Sequence, residues 1–360
     1  MQHLTFPQLL FSMSLWIITL LYYSKSLYSR KFAMQERYFF FCIAVIVFST
    51  FAYANLDFFH YKESYDLIIQ YKYNGFWEPF YHYLINVLPP YYYLWRLVIW
   101  GISTVIIVLI FKRIQAPSSL SCLCFVLILM TYFCVPRNTL GYVFLYFFVT
   151  FITKPTNNKF FSYAIATLGI YCSTFLHKSM PIYIIILFVS FLPMKKSTYL
   201  FSIIAFPFLY STFDVFANYM EAFLTSGDTS FQSRGLFYLE SENFSITNFN
   251  GYIKLFIERV PLLILLYFSI KQLLNNSIKD KTVEIFVRYA YWLIYISFLL
   301  FNQSTSSFLS VRFWDASLYP LAIAVPAIVN MSKRHSLVLI SFYWLIFANM
   351  YNFLYLLYKM

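Results

Sequence analysis

Charge is what this chain has least of. Only 11% of its 360 residues are Asp, Glu, Lys or Arg, while 61% are hydrophobic; soluble domains carry about 25% charge. That scarcity excludes an ordinary soluble domain and predicts an integral membrane protein. Alternation of apolar and polar positions, the mark of a transmembrane barrel, is missing as well. The apolar runs are continuous (43–48 IAVIVF, 105–111 VIIVLIF, 183–189 YIIILFV, 261–268 PLLILLYF), so the spans are expected to be helices. The first run, 9–23, lacks a charged leader and a small-residue cleavage site, and is expected to stay as a span. The five cysteines, an odd number, all lie in apolar segments (Cys42, Cys122, Cys124, Cys134, Cys172). They supply neither a disulfide framework nor a metal site and read as packing residues. No His-x-x-x-His pattern occurs, so neither metal nor cofactor is expected. No internal repeat is visible.

What charge there is has a side. Lys and Arg cluster at 25–37, 112–113, 154–159, 195–196, 271–288 and 333–334, and the positive-inside rule makes these loops cytoplasmic. Sixteen basic and three acidic residues then fall inside, ten basic and eleven acidic outside, which accounts for the net +12. The basicity is a topology signal, partly attraction to anionic lipid, and predicts no nucleic-acid partner. Spans of about 20 residues fit at 9–23, 38–53, 93–111, 119–135, 139–153, 160–176, 180–193, 198–214, 251–270, 284–301, 316–330 and 336–357. The expected fold is an all-α polytopic bundle of about twelve crossings, a single transmembrane domain over 1–360 with both termini outside. Two long outer loops interrupt it, at 55–92 and 215–250.

The first of these loops holds the unusual chemistry. Asp57, Glu63, Asp66 and Glu78 stand there among tyrosines. Residues 78–88 are too short to cross, and a crossing would invert every later loop. They are therefore expected to form a re-entrant or partly inserted segment, which needs protein or a polar cavity around it. Upstream, Tyr61, Tyr65, Ile68, Ile69 and Lys72 recur at near-helical spacing, as in an amphipathic interfacial helix. Arg96, Arg137, His177, Lys178, Arg234, Arg259, Arg312 and Asp315 are also expected at outer helix ends or in outer loops. A single outer Arg can be a snorkelling anchor, His177 an interfacial hydrogen-bonding group, and Asp315 the structural partner of Arg312. Several Arg, a His and acids on one face instead suggest a site for an anionic, lipid-adjacent substrate, because planar guanidinium forks suit phosphate oxygens.

The succession Asp57, Tyr65, Tyr71, Glu78-Pro79-Phe80, then Arg137 opening an apolar span, Phe175-Leu176-His177-Lys178-Ser179, and Arg312 followed by Tyr319-Pro320 resembles the EpsG/Wzy family over about residues 38 to 330. These are bacterial polymerases of O-antigen, capsule and exopolysaccharide repeat units. Two details differ: Phe80 follows Glu78-Pro79 where the family often has Gly, and Asn138 follows Arg137 where Gln is common. The resemblance implies a GT-C-like glycosyltransferase of the plasma membrane with its site facing outside. It would move the growing glycan from undecaprenyl diphosphate to the non-reducing end of the next lipid-linked repeat. Its partners would be those lipid-linked oligosaccharides, membrane lipid and a chain-length regulator. Glu78 is the first expectation for the base, its basicity raised by desolvation. His177 follows as base or orienting donor, and Asp57 is third. Arg137 and Arg312, helped by Arg234 or Arg259, would hold the diphosphate. Loop 215–250 would recognise sugars. Two other classes stand as alternatives: a transferase using a polyprenyl-phosphate sugar or an acyl group, which an acidic first outer loop also suits, and a lipid-linked oligosaccharide flippase, which would be expected to show polar residues lining a path through the membrane rather than gathered at one face.

Overall fold

Proline marks the helix boundaries. Pro79, Pro136 and Pro181 stand in first turns, Pro117 is an N-cap, and Pro89, Pro155 and Pro193 follow helix ends, where the missing N–H and fixed φ cost least. The computed structural model describes residues 6–28, 34–51, 57–71, 78–130, 136–177, 179–225, 249–301, 307–331 and 336–359. Among them are fourteen helices and no strand: α1 (Phe6–Tyr28), α2 (Met34–Phe51), α3 (Asp57–Tyr71), α4 (Pro79–Val87), α5 (Tyr92–Ile114), α6 (Ser118–Ile128), α7 (Pro136–Thr153), α8 (Lys159–Leu176), α9 (Met180–Phe191), α10 (Lys196–Thr225), α11 (Phe249–Leu274), α12 (Lys281–Leu299), α13 (Ser307–Met331) and α14 (Ser336–Lys359).

Among the described residues four helices are long and apolar enough to cross a membrane, within Phe6–Lys25, Tyr92–Ile114, Lys281–Leu299 and Ser336–Tyr355. The surface agrees with a lipid environment. Phe160, Leu168, Ile185, Phe201, Ile204, Phe208 and Tyr343 are all exposed, whereas Trp16, Phe41, Trp95, Trp100, Tyr146 and Phe286 are wholly buried. Close approach of α8 to α7 depends on Gly169, where a Cβ would lie 2.2 Å from the Phe148 ring. Small residues serve this purpose between membrane helices, where backbone proximity is the source of packing energy.

At the centre lies α6, whose eleven residues make it about 16 Å long. It packs against α1, α2, α5, α13 and α14. Within the span expected over 119–135 the described helix ends at Ile128, Leu129 and Met130 follow as a buried turn, and 131–135 lie outside the described residues. A helix that stops inside a bundle must satisfy its last carbonyls from elsewhere. Here Trp16 Nε1 of α1 donates to the Val126 carbonyl (3.1 Å) and Asn349 Nδ2 of α14 to that of Leu127 (3.0 Å). The Leu129 and Met130 amides both donate to Phe125 (2.9 Å each).

Around this centre α7 lies between α5 and α8, α12 pairs with α13, and α11 pairs with α14. At one end the expected cytoplasmic residues meet. Lys154 Nζ bridges Asp280 (2.5 Å) and donates to the Arg113 carbonyl (2.9 Å). Arg113 in turn donates to the Lys154 carbonyl (2.7 Å), and Asp280 caps α12 through the amides of Thr282 and Val283. The opposite end carries the candidate site.

Several boundaries depart from expectation. Helix α10 continues to Thr225, eleven residues into the stretch read as outer loop, because nothing in 215–225 breaks a helix; residues 226–248 lie outside the described residues. Helix α13 starts at Ser307, so Arg312 and Asp315 belong to its first turns rather than to a preceding loop.

Candidate functional site

The stretch read as the first outer loop forms two helices, α3 and α4. Helix α3 buries Tyr65 and Ile68 and half-buries Tyr61, while Ile69 faces outward. Helix α4, nine residues and about 14 Å long, is too short to cross. Pro79 starts it, Pro89-Pro90 prevent its continuation, and Tyr81 and Ile85 form its buried face. Both helices dock on the start of α5 through an aromatic cluster. Tyr65 lies 5.3 Å from Tyr92 and 6.1 Å from Trp95, Tyr81 lies 6.0 Å from Trp95, and Tyr92 stacks on Trp95.

This cluster holds Glu78, only 1% exposed, against the first turn of α7. Arg137 grips it with both arms of the fork, Nε to Oε2 at 2.8 Å and Nη2 to Oε1 at 2.7 Å. Such bidentate pairing is the strongest ordinary form of a charged hydrogen bond. Tyr81 adds a second latch by donating its hydroxyl to the Arg137 carbonyl (3.0 Å). The rings of Tyr61 and Tyr81 lie 5.9 and 6.0 Å from the guanidinium, within cation–π range. Burial pushes the Glu78 carboxyl up, but the Arg137 hydrogen bonds and charge, with His177, outweigh it. The net result is a carboxylate held below its ordinary range. This reverses the direction expected from desolvation alone, since the carboxylate is buried together with its counter-ion.

His177 ends α8, within electrostatic reach of Glu78. The Ser179 amide donates to its Nδ1 (3.2 Å), and the Ser179 hydroxyl lies 2.5 Å from the same nitrogen. With Nδ1 an acceptor, the proton of the neutral ring sits on Nε2. Gly141, one turn after Arg137, allows the contact: a Cβ there would lie 3.1 Å from Met180 Cε and 3.4 Å from His177 Cβ.

Arg312 stands on α13 in the same stripe as Asp315, Ala316 and Tyr319. Tyr319 and Thr139 share a hydroxyl–hydroxyl hydrogen bond of 2.5 Å, Tyr146 donates to the Ala316 carbonyl (3.3 Å), and Arg312 interacts electrostatically with Tyr142 and Tyr183. Helix α7 thus carries Arg137 toward α4 and, two residues later, ties itself to the helix bearing Arg312. Arg259 is buried on α11 with its guanidinium over the rings of Trp314 (4.6 Å) and Phe301 (5.1 Å). The contacts seen there are aromatic, and they place Arg259 against the Trp314 face of α13.

Arg96 is fully buried within α5, where its Nε donates to the Thr50 carbonyl (3.2 Å) and its Nη2 to that of Ser49. It caps the C-terminal end of α2, a structural task. Asp57 opens α3, but its side chain lies outside the described residues, as do Arg234 and Lys178. Among the described residues no group of three or more His, Cys, Asp or Glu gathers to hold a metal ion. Sequence reasoning missed the service of Tyr61 and Tyr81 to Arg137, the Thr139–Tyr319 bond and Gly141. Tyr81, three residues after Glu78, and Gly141, four after Arg137, had helical spacing as a signal; the Thr139–Tyr319 pairing, 180 residues apart, had none. Comparison of the chain with protein-family models, with curated proteins and with solved structures finds no match.

Proposed function

We propose that this protein is a polysaccharide repeat-unit polymerase of the EpsG/Wzy type, a GT-C-like glycosyltransferase of the bacterial plasma membrane acting on undecaprenyl diphosphate-linked oligosaccharides at the outer face. The observation that carries the reading is the buried, bidentate Glu78–Arg137 pair at the end of the bundle opposite the basic cluster. Further support comes from the helix count. With α3 and α4 set aside, twelve of the fourteen described helices remain, and four of these are long and apolar enough to cross a membrane.

The reaction joins an acceptor hydroxyl to the anomeric carbon of the donor glycan. The C–O bond to undecaprenyl diphosphate breaks, and the hydroxyl proton passes to a base. A diphosphate leaves readily once its charge is met, and Arg137 on α7 and Arg312 on α13, two helices tied by the Thr139–Tyr319 bond, are the groups that would meet it. In the resting state Arg137 holds Glu78 weakly basic. Diphosphate competes for the same guanidinium fork, and as it draws Arg137 away the main influence opposing burial is lost and the proton affinity of Glu78 rises. The base thus becomes competent when donor is bound. His177, donating from Nε2, orients the acceptor.

The test is the glycan ladder of a deletion strain. Loss of long chains with single repeats retained on the lipid, restored by the wild-type gene and by none of the Glu78→Gln, Arg137→Ala or Arg312→Ala variants at equal protein level, is the expected outcome. A normal ladder in the deletion strain would refute the reading. Loss of a single substituent would instead favour a monosaccharide or acyl transferase, and repeats trapped on the cytoplasmic face a flippase.

A further inference from the structure

A groove of about 220 Å³ runs between α9 and α12, walled by Ile185, Ile186, Val189, Trp292, Tyr295, Ile296 and Leu299. It opens on the outside of the bundle, where Ile185 is 64% exposed, and its wall is wholly apolar. The one hydroxyl nearby, that of Tyr295, turns away to donate to the Ser202 carbonyl of α10 (2.8 Å). Such a surface offers nothing to a sugar and everything to a hydrocarbon chain.

Its position gives it a direction. Tyr183 precedes Ile186 by one turn on α9, contacts Phe313 of α13 (5.4 Å) and interacts electrostatically with Arg312. On the other wall Ser297, beside Ile296, exchanges hydrogen bonds with Ser310 (2.8 Å each way), two residues before Arg312. Both walls therefore reach the level of one guanidinium, at the end of the bundle where Glu78 and Arg137 meet. A larger hollow of about 470 Å³ lies along α8, from Phe160 to Tyr171. It is lined by that helix alone and begins near the opposite, basic end.

We infer that the α9–α12 groove seats the isoprenoid chain of the lipid-linked substrate, with its diphosphate at Arg312. Charge complementarity selects this occupant over a bulk phospholipid, because the walls of the apolar groove reach the level of Arg312, whose guanidinium suits a diphosphate, away from the Lys- and Arg-rich end that draws anionic headgroups. The inference rests on the polymerase reading for the identity of the lipid and adds where its chain lies.

The test uses the full-length protein in nanodiscs, with a photoreactive benzoylphenylalanine at position 185 or, as control, 168. Undecaprenyl diphosphate is offered in competition with phosphatidylglycerol. Preferential crosslinking of undecaprenyl diphosphate at 185 and not at 168 is expected. In parallel, Ile185→Trp and Leu299→Trp should raise KM for the lipid-linked donor about tenfold with kcat nearly unchanged, the effect of about two lost buried methylenes, and Leu168→Trp should change neither. Equal labelling by phosphatidylglycerol, or equal labelling at 168, overturns the groove assignment. If the deletion strain loses its ladder while position 185 stays unlabelled, the groove fails and the polymerase reading stands. If the ladder survives deletion while 185 still captures undecaprenyl diphosphate, the polymerase reading fails and the groove stands.

Discussion

Glu78 and Arg137 form a pair whose geometry constrains what each can do. Removing one partner leaves the other charge buried and uncompensated, at a cost of about 3–5 kcal/mol. Glu78→Ala should therefore lower the melting temperature in detergent markedly, and Glu78→Gln, which keeps the shape, should lower it less. Arg137→Lys keeps the charge but loses the fork; on the proposed polymerase reading, polymerisation in vitro should fall about 10²–10³-fold at near-normal protein level. The pH dependence has a definite sign. The folded-state pKa of Glu78 is depressed relative to an unfolded value of about 4.3, so the pair's stabilisation is fully present above that value. It is lost as pH falls through the lower, folded one. Thermal melts across the acid range should show this loss in wild type and its absence in Glu78→Gln.

Among the elements, α6 and α7 carry the arrangement. Helix α6 ends inside the protein on carbonyls that Trp16 and Asn349 satisfy. Asn349→Leu should destabilise by about 1–3 kcal/mol, the cost of an unsatisfied buried acceptor, measurable as a lower melting temperature; an unchanged one would mean that another group caps Leu127. Gly169→Ala drives a methyl into the Phe148 ring and should cost about 1–3 kcal/mol by overpacking. Gly141→Ala meets only the flexible tip of Met180 at 3.1 Å and should be milder in stability, yet it should slow turnover by shifting the His177 turn. The amphipathic reading of α3 held for Tyr65 and Ile68 and failed for Ile69, which faces outward. Periodicity locates a face but cannot say where a neighbouring helix ends.

The bundle as a whole is polarised. Lys154, Arg113 and Asp280 close one end, and Glu78, Arg137 and His177 mark the other. Reaction of an impermeant thiol reagent with Lys112→Cys only in inverted vesicles, and with Tyr83→Cys only in right-side-out ones, is the expected outcome if the positive-inside assignment holds. Tyr83 suits this because it is 63% exposed on α4.

Composition and the order of apolar runs by themselves determined the all-helical, membrane-compatible architecture. They did so because backbone groups in lipid are satisfied only within helices or closed barrels, and continuous apolar runs without alternation leave only the helix. Charge asymmetry and loop parity likewise made α4 a short, non-crossing helix, and Glu78, Arg137 and His177 were legible as odd polar residues on one predicted face. Only the tertiary structure decided which of them touch. Glu78 and Arg137 are 59 residues apart in the chain, and nothing local to either encodes a bidentate contact. Arg96 and Arg259, indistinguishable from Arg137 as outer arginines in the sequence, are separated from it by what surrounds them: Arg96 meets helix-end carbonyls, and Arg259 two aromatic rings. The direction of the Glu78 pKa followed the same rule. Burial can be guessed from an apolar neighbourhood, but whether the buried charge has a counter-ion depends on how distant helices pack.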